Sequence, residues 1–318
     1  MCLELCCVFI PRPGQLGSER YKMMGSSVEG GQKSSLLAIQ LSNMRFNLLP
    51  SSISLLSLVW SVSCASSPPS GSITVGSGGK YSTLSAALKD TSSDTYFVYA
   101  GSYKEQVVIS RANVKIYGQT SNALTYANNQ ATITNNVPAS QAGSNDASGT
   151  VRVLATGVRI YNLNIANTYG KPVSQSQAIA LSVQAGQFGC YGCKLTGYQD
   201  TLLANKGTQF YGKSYIEGAV DFIFGQTASI WITGSTINTV GNGYITASGR
   251  SSADSNYYVI DKSTITGSGT QYLGRPWRNY ARVVVQGTSI GSHVVAAGWS
   301  VGALKLYAPY SWFDVIYC

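Results

Sequence analysis

Two aspartates occupy equivalent positions in two similar segments of the chain. Asp200 lies in KLTGYQDTLLA and Asp221 lies in YIEGAVDFIFG, and the segments align without a gap at a spacing of 21 residues. Such a repeat predicts that each residue stacks on its counterpart one coil later, about 4.8 Å away. Two carboxylates that lie so close do not both ionise readily, so one tends to keep its proton while the other stays charged. The pair is therefore a candidate for acid–base and nucleophilic catalysis.

Three further polar residues could complete a site around this pair. Gln177 lies 22 residues before Gln199. If this coil is one residue longer than the 21-residue repeat, Gln177 falls on the same face one coil earlier. Arg275 could pair with a buried carboxylate, which needs such a partner. The alternative is a structural ladder of Asn, Gln and Asp side chains. A groove that binds sugars is favoured by the aromatic residues nearby, which are Tyr198, Phe222, Phe224 and Trp277.

The chain contains one histidine, His293, and this restricts the chemistry. A Ser-His-Asp or Cys-His site would have to use this residue, and a histidine-rich zinc site is excluded. We interpret His293 as a solvated or structural residue. No zinc site is expected.

Cys190 and Cys193 lie in a segment predicted as one strand, where their spacing should direct the two side chains to opposite faces. A disulfide between them is therefore not expected, and buried free thiols are favoured. A link to Cys318 is the alternative.

The composition predicts an all-β protein. Only 11% of the residues are charged, while Gly (34) and Tyr (21) are abundant, and short apolar segments recur from residue 96 to residue 290. The gap-free repeat favours a solenoid over a sandwich or a propeller. Residues 81–90 have helical periodicity with Thr83 as the N-cap, so we expect one short N-terminal helix that caps the first coil. Residues 135–150 are predicted to be a polar surface loop.

The first 65 residues are expected to lie outside this domain. An apolar run at residues 48–62 follows Arg45 and precedes small residues, a pattern typical of a signal peptide at 44–65. A single-pass anchor is the alternative. Residues 1–43 are interpreted as a mis-assigned or alternative leader, with Met44 as the true start. The domain is then expected to span residues 66–318.

Five segments resemble the pectin methylesterase (pectinesterase) family, especially its fungal branch. They are GSYKEQ (101–106), QAIAL (177–181), GYQDTL (197–202), DFIFG (221–225) and LGRPW (273–277). Each alone is weak, but five in family order are specific. The resemblance implies a single-stranded right-handed parallel β-helix with a long shallow cleft. It also implies an enzyme that removes methyl esters from homogalacturonan, the polymer of pectin, and releases methanol.

The resemblance also implies a role for each polar residue. Asp221 matches the family nucleophile and Asp200 the general acid and base. Gln177 matches the amide that stabilises the oxyanion, and Gln199 matches a second, supporting glutamine. Arg275 matches the arginine that positions the nucleophile. The resemblance implies no metal and no organic cofactor. The implied substrate-binding residues are Trp277, Tyr198, Phe222 and Trp299.

The expected partner is pectin, and the expected location is extracellular, with the plant cell wall as the site of action. The net charge of +9 suits an acidic polysaccharide or a nucleic acid, but no Lys/Arg-rich run predicts a nucleic-acid interaction. After signal cleavage we expect no membrane contact, and we expect a monomer. Two other functions stay open, a pectin lyase or glycosidase and a non-catalytic pectin-binding solenoid. Residues 302–318 depart from the family pattern, so a truncated isoform of impaired activity is a further alternative.

Overall fold

The computed structural model describes residues 66–300 and the strand at Trp312–Ile316. Within these residues, short strands are joined by tight turns, with α-helices α1 (Leu84–Ala87) and α2 (Ala139–Ala142) and 3-10 turns at Tyr126–Asn128 and Asp146–Ser148. The strands in chain order are β1 (Ile73–Val75), β2 (Thr95–Val98), β3 (Gly101–Lys104), β4 (Val107–Ile109), β5 (Lys115–Gly118), β6 (Ala131–Asn135), β7 (Val151–Val153), β8 (Arg159–Tyr161), β9 (Asn164–Asn167), β10 (Leu181–Val183), β11 (Phe188–Tyr191), β12 (Lys194–Thr196), β13 (Leu202–Ala204), β14 (Thr208–Gly212), β15 (Tyr215–Gly225), β16 (Ser229–Thr233), β17 (Thr236–Ser248), β18 (Tyr258–Asp261), β19 (Thr264–Ser268), β20 (Gln271–Pro276), β21 (Arg282–Gln286), β22 (Ser289–Ile290) and β23 (Trp312–Ile316).

These strands form two parallel sheets. The ten-stranded sheet has the order β1-β2-β5-β8-β11-β14-β16-β18-β21-β23. The thirteen-stranded sheet contains β3-β6-β9-β12-β15-β13-β10-β7-β4 and continues through β17, β19, β20 and β22. Because the chain returns to each sheet once per coil and pairs there with the previous coil, it winds as a solenoid. The predicted parallel β-helix is confirmed.

The 21-residue repeat corresponds to the observed strand register. Leu195 pairs with Ile216, and Leu202 pairs with Ile223, on either side of the two aspartates. Gln177, on the preceding coil, pairs with Gln199. The prediction that this coil is one residue longer than the repeat is confirmed. Other coils are longer, as in the pairing of Arg159 with Gly189, because loops are inserted between strands.

The core fills the space between the two sheets. One column of inward-facing side chains on the ten-stranded sheet shows the pattern. Its members are fully buried and in register on successive coils: Ile116, Ile160, Cys190, Tyr211 and Ile232. Burial of one large aliphatic side chain contributes roughly 1.5–3 kcal/mol, so such columns can stabilise a fold that has little helix.

A ladder of left-handed residues forms the corner after the ten-stranded sheet. The residues at this corner on successive coils have positive φ angles: Asn162 (50°), Gly192 (61°), Lys213 (51°), Gly234 (56°), Lys262 (43°) and Gly287 (52°). The Lys213 side chain lies across Gly234, where a built Cβ would lie 3.3 Å from Lys213 Nζ. Lysine and glycine therefore alternate along this corner, and each lysine covers the glycine of the next coil.

The N-terminal helix is shorter than predicted but has the predicted cap. Helix α1 begins after Thr83, whose side-chain oxygen accepts a hydrogen bond of 3.2 Å from the Ala86 N–H. The Glu105 carboxylate accepts two more, from the N–H groups of Leu84 and Ser85 at 2.9 Å each. These acceptors satisfy N–H groups that lack partners at the start of a helix. Leu84 packs into the core.

The segment predicted as a plain polar loop, 135–150, contains part of β6, helix α2 and a 3-10 turn. Its buried Ser148 accepts a hydrogen bond of 3.3 Å from the Ile179 N–H. The loop is thereby attached to the coil that carries Gln177.

The expectation of free thiols at Cys190 and Cys193 is wrong, because the two residues form a disulfide with a Cα–Cα distance of 6.0 Å. The predicted single strand is two strands, β11 and β12, separated at Gly192 with a φ of 61°. This turn breaks the alternation of side chains, so both cysteines point into the core, where they are fully buried.

The proposed leader (1–43) and signal peptide (44–65) lie outside the described residues, as does most of 302–318. Strand β23 pairs in parallel with Arg282–Gln286 and extends the ten-stranded sheet. In the part of the chain that is described, no helix is long and apolar enough to cross a membrane.

Candidate active site

Asp200 and Asp221 lie where the chain turns between adjacent strands on neighbouring coils. Asp200 follows β12 and has a φ of 66°, and Asp221 lies inside β15 with a φ of 50°. The Asp200 N–H donates a hydrogen bond of 3.0 Å to the Val220 carbonyl, which joins the two turns. A left-handed backbone is uncommon outside glycine, and in this chain it also occurs at Asn162, Lys213 and Lys262 of the corner ladder. The hydrogen bond between Asp200 and Val220 shows that the two turns stack as predicted.

Both aspartates are withdrawn from solvent, with exposed fractions of 3% for Asp200 and 2% for Asp221. Only Asp221 is paired with a cation. Arg275 Nε donates to Asp221 Oδ1 at 2.9 Å, and Arg275 Nη2 donates to Oδ2 at 2.5 Å. This two-point contact gives the buried carboxylate a cationic partner and fixes its plane.

Arg275 reaches Asp221 from β20, two strands along the sheet. Phe224 of β15 pairs with Ala247 of β17, which pairs with Arg275. The guanidinium carbon lies 4.5 Å from the centre of the Tyr244 ring and 5.8 Å from that of Trp277. The aromatic rings support the cation over the turn.

Asp200 is in the opposite electrostatic situation. Burial and the negative charge of Asp221 raise the pKa of Asp200 to about 8, although the charges of Arg275 and Lys171 oppose the shift. Asn145 Nδ2 donates a hydrogen bond to Asp200 Oδ2 at 3.2 Å. At neutral pH the carboxyl group of Asp200 therefore keeps its proton.

The two glutamines lie next to this pair on consecutive coils. Gln199 Oε1 accepts hydrogen bonds from Lys171 Nζ at 3.0 Å and from the Ser176 N–H at 3.1 Å. These two donors fix the amide plane and direct its NH₂ group away from Lys171. Gln177 Nε2 donates to Gln175 Oε1 at 2.5 Å, and its amide group has a second N–H to offer.

Three of the four predicted substrate-binding aromatics are accessible. Trp277 has an exposed fraction of 51%, and Tyr198 is half-buried. Trp299 is half-buried and packs against Gly274, beside Arg275. The prediction for Phe222 is wrong, because its side chain is fully buried in the core. Near the left-handed turn at Asp221 the alternation of β15 is broken, and both Phe222 and Ile223 are buried in the core.

A cavity of about 310 Å³ lies along the strands that follow the two aspartates. Its lining combines aromatic and amide side chains, and it includes Asn145, Leu203, Asn205, Phe224, Trp277 and Arg278. Flat aromatic surfaces beside amide groups suit the alternating apolar faces and hydroxyl groups of a sugar ring. Phe224, noted in the sequence for its aromatic side chain, lines this cavity.

Four residues of the site were missed from the sequence: Asn145, Lys171, Gln175 and Tyr244. Asn145 belongs to the segment predicted as a plain loop and contacts Asp200 across 55 residues of sequence. Tyr244 pairs in register with Tyr272 of β20, the strand that also carries Arg275. A register prediction carried on from Asp221 would have placed Tyr244 nearby, whereas nothing in the sequence pointed to Asn145.

Among the residues that the structure describes, no group of three or more His, Cys, Asp or Glu side chains could hold a metal ion.

Comparison with known proteins identifies the family. The family model named Pectinesterase matches residues 72–305. The chain belongs to the pectinesterase family. It is 45% identical over 261 residues to the probable pectinesterase A of Neosartorya fischeri, covering 77% of this chain and 79% of that protein. It is 48% identical over 252 residues to a pectinesterase of Aspergillus aculeatus, covering 73% and 76%.

The solved structures agree with this assignment. The crystal structure of the pectin methylesterase from Aspergillus niger superposes with a TM-score of 0.74 at 41% identity, covering 80% of this chain and 87% of that chain. The pectin methylesterase from carrot superposes with a TM-score of 0.65 at 27% identity, covering 79% and 82%. The predicted family, its fungal type and the pectinesterase activity are confirmed.

Proposed function

We propose that this pectinesterase hydrolyses the C6 methyl esters of homogalacturonan through a covalent intermediate on Asp221. The observation that carries the proposal is the asymmetry of the pair. Asp221 is held by two nitrogens of Arg275, beside a buried Asp200 that keeps its proton. A nucleophile and an acid are therefore ready at the same pH.

In the first half-reaction, an oxygen of Asp221 attacks the ester carbonyl carbon. The carbonyl oxygen becomes an oxyanion, for which the amide N–H groups of Gln177 and Gln199 are the candidate donors. When the tetrahedral intermediate collapses, the bond to the methoxy oxygen breaks and Asp200 gives its proton to that oxygen. Methanol leaves, and an acyl anhydride joins the galacturonate to Asp221.

In the second half-reaction, the ionised Asp200 takes a proton from water while the water oxygen attacks the acyl carbon. The bond to Asp221 breaks, and the carboxylate returns to its contact with Arg275. One water is consumed, Asp200 is protonated again, and the product carries a carboxylic acid that ionises in solution. The role of Asp200 as acid and then base needs its pKa near neutrality, which the raised value of about 8 satisfies.

Trp277, Tyr198 and Trp299 are proposed to bind the sugar rings on either side of the reacting ester. Support comes from the exposure of Trp277 next to Arg275 and from the cavity beyond it. The names of the solved relatives also specify pectin. Secretion, action on pectin of the plant cell wall, a monomeric state and the absence of nucleic-acid partners remain our predictions.

The test is methanol release from methyl-esterified pectin by the secreted protein and its variants. Asp221→Asn is expected to lower kcat by about 10³-fold or more, because an amide is a poor nucleophile. Asp94→Asn is the matched control, since Asp94 also pairs with an arginine, Arg111, but is exposed. Full activity of Asp221→Asn with an unchanged melting temperature would refute the covalent mechanism.

The intermediate can be tested separately by rapid mixing of enzyme and substrate. If hydrolysis of the intermediate is slower than its formation, methanol appears in a burst that equals the enzyme concentration. Asn145→Ala weakens the positioning of Asp200 as the base, so it should slow the second half-reaction and make the burst clearer. A burst of methanol without an acylated Asp221 peptide after acid quench would contradict the proposal.

A further inference from the structure

The ten-stranded sheet carries an aromatic strip on its outer face, away from the aspartate pair. Tyr117, Tyr161 and Tyr191 are in register on β5, β8 and β11. The rings of Tyr117 and Tyr161 are stacked, with centres 4.7 Å apart and an interplanar angle of 8°. Each of the three is only half-buried.

The strip continues onto the next two coils. Gly212 follows Tyr191 in register, and a Cβ built on Gly212 would lie 2.7 Å from Phe210 Cε1 and 3.1 Å from Tyr191 Cδ2. The two rings therefore meet over this glycine. Trp231 pairs in register with Phe210, and their exposed fractions are 42% and 43%. Five strands with aromatic side chains give the strip a length of about 19 Å, at about 4.8 Å per step.

Cations border this strip. On earlier coils, Lys115 and Arg159 occupy the positions that are in register with Phe210, and Gly189 lies between Arg159 and Phe210. Lys213 lies on the corner ladder beside the strip, and Lys262 lies on the same ladder one coil beyond Trp231; both are exposed. None of these four cations has an ion-pair partner among the described residues.

We propose that the aromatic strip and its bordering cations form a second polysaccharide-binding surface that takes a de-esterified, anionic segment of the polymer. Aromatic faces stack on sugar rings, and unpaired cations complement the carboxylates of polygalacturonate. A neutral, fully esterified segment would meet the rings but not the cations. The identity of the polymer rests on the proposed function, because polygalacturonate is its product.

The aromatic strip and the active site belong to different sheets. Asp221 and Arg275 lie on β15 and β20 of the thirteen-stranded sheet, whereas the strip lies on the ten-stranded sheet across the core. One enzyme molecule could therefore hold its product while its cleft engages an esterified segment. Such two-point attachment raises the local concentration of substrate without a new contact in the cleft.

The experiment measures retention of the full-length secreted enzyme in native gels that contain polygalacturonate, with a neutral galactan gel as reference. Phe210→Ala/Trp231→Ala is expected to weaken retention about tenfold, and Lys213→Gln/Lys262→Gln to weaken it and reduce its sensitivity to salt. The control variants are Leu124→Ala, which removes another exposed apolar side chain, and Lys89→Gln/Lys104→Gln, which removes two other exposed lysines. Both should be retained like the parent.

The same samples are assayed for methanol release from a short methylated oligogalacturonide, which is too short to reach both surfaces. The aromatic variant should keep the parental kcat/KM on it, so a failure of the binding proposal is distinguishable from a failure of the proposed activity. Unchanged retention of both strip variants would overturn the proposal. So would a loss of retention that accompanies a change from oligomer to monomer, since the strip would then contact a second copy of the chain.

Discussion

The Lys171 ammonium donates a hydrogen bond of 3.0 Å to the amide oxygen of Gln199, the residue before Asp200. The same ammonium bonds the Ser174 carbonyl at 2.6 Å, which holds it over the site. Lys171 therefore acts on both functions of this turn. It fixes the orientation of the Gln199 amide, and its charge opposes the rise in the pKa of Asp200.

Lys171→Met is expected to lower kcat about tenfold and to move the basic limb of the pH profile to higher pH. The loss in kcat follows from the freed Gln199 amide. The shift follows because removal of a positive charge raises the pKa of Asp200 further, so its acid form persists to higher pH. Profiles of kcat/KM for methanol release, measured from pH 5 to about 9.5, would show it.

Lys171→Arg keeps the charge and should restore the position of the limb. Lys89→Met is the control for removal of a lysine elsewhere. A profile of Lys171→Met that superposes on the parent would exclude this role for Lys171.

The contact between Arg275 and Asp221 predicts a different effect for Arg275→Lys. A lysine keeps the charge but cannot make the two-point contact, so Asp221 loses its fixed orientation. We expect kcat to fall about 10²-fold while KM changes little, because the contact acts on the nucleophile and not on bound sugar. Steady-state kinetics with esterified pectin measure both constants. The control is Arg111→Lys, because Arg111 also pairs with an aspartate, Asp94, but does not line the cavity. A rise in KM at constant kcat would instead place Arg275 in substrate binding.

Asp200 also makes stability depend on pH. Its pKa is raised from 3.8 to about 8 in the folded protein, so between these values the folded chain holds a proton that the unfolded chain has lost. The free energy of unfolding therefore decreases as the pH rises through this window. Asp200→Asn, which mimics the neutral acid, should raise the melting temperature at pH 8 and leave it unchanged near pH 3.5.

The expected gain in stability for Asp200→Asn is on the order of 1 kcal/mol or more at pH 8. Thermal melts of the two proteins at a series of pH values measure it. If the difference in melting temperature between the two proteins is the same at all pH values, Asp200 is not protonated in the folded state.

Much of the fold and of the site could be predicted because a solenoid converts sequence spacing into spatial stacking. Equal spacing placed Asp200 and Asp221 on neighbouring coils, and the same register placed Gln177 beside Gln199. Arg275 was found through its motif. The cost of an unpaired buried charge predicted that it could pair with a buried carboxylate, and the family resemblance assigned that carboxylate to Asp221.

The missed features arise where the chain leaves the strand periodicity. Near the left-handed turn at Asp221, the adjacent residues Phe222 and Ile223 are both buried, and the turn at Gly192 brings two cysteines together. Neither turn is visible in the pattern of apolar residues. Asn145 reaches Asp200 from a loop, and its contact depends on the packing of that loop rather than on any repeat.

The Cys190–Cys193 disulfide predicts a measurable response to reduction. It closes a loop of only a few residues, so the loop-entropy estimate of its contribution is roughly 2 kcal/mol. A reductant should lower the melting temperature of the parent, and Cys190→Ala/Cys193→Ala should melt at the lowered temperature with or without reductant. Cys190→Ser/Cys193→Ser should be less stable still, because both positions are fully buried and each hydroxyl would need a partner.

The pairing itself can be read by mass spectrometry, because both cysteines lie in one tryptic peptide that ends at Lys194. Alkylation of the unreduced, denatured protein should leave this peptide unmodified, and alkylation after reduction should modify it twice. Modification at both cysteines without reduction would contradict the disulfide. The original expectation of two buried thiols would then hold, and the reductant should leave the melting temperature of the parent unchanged.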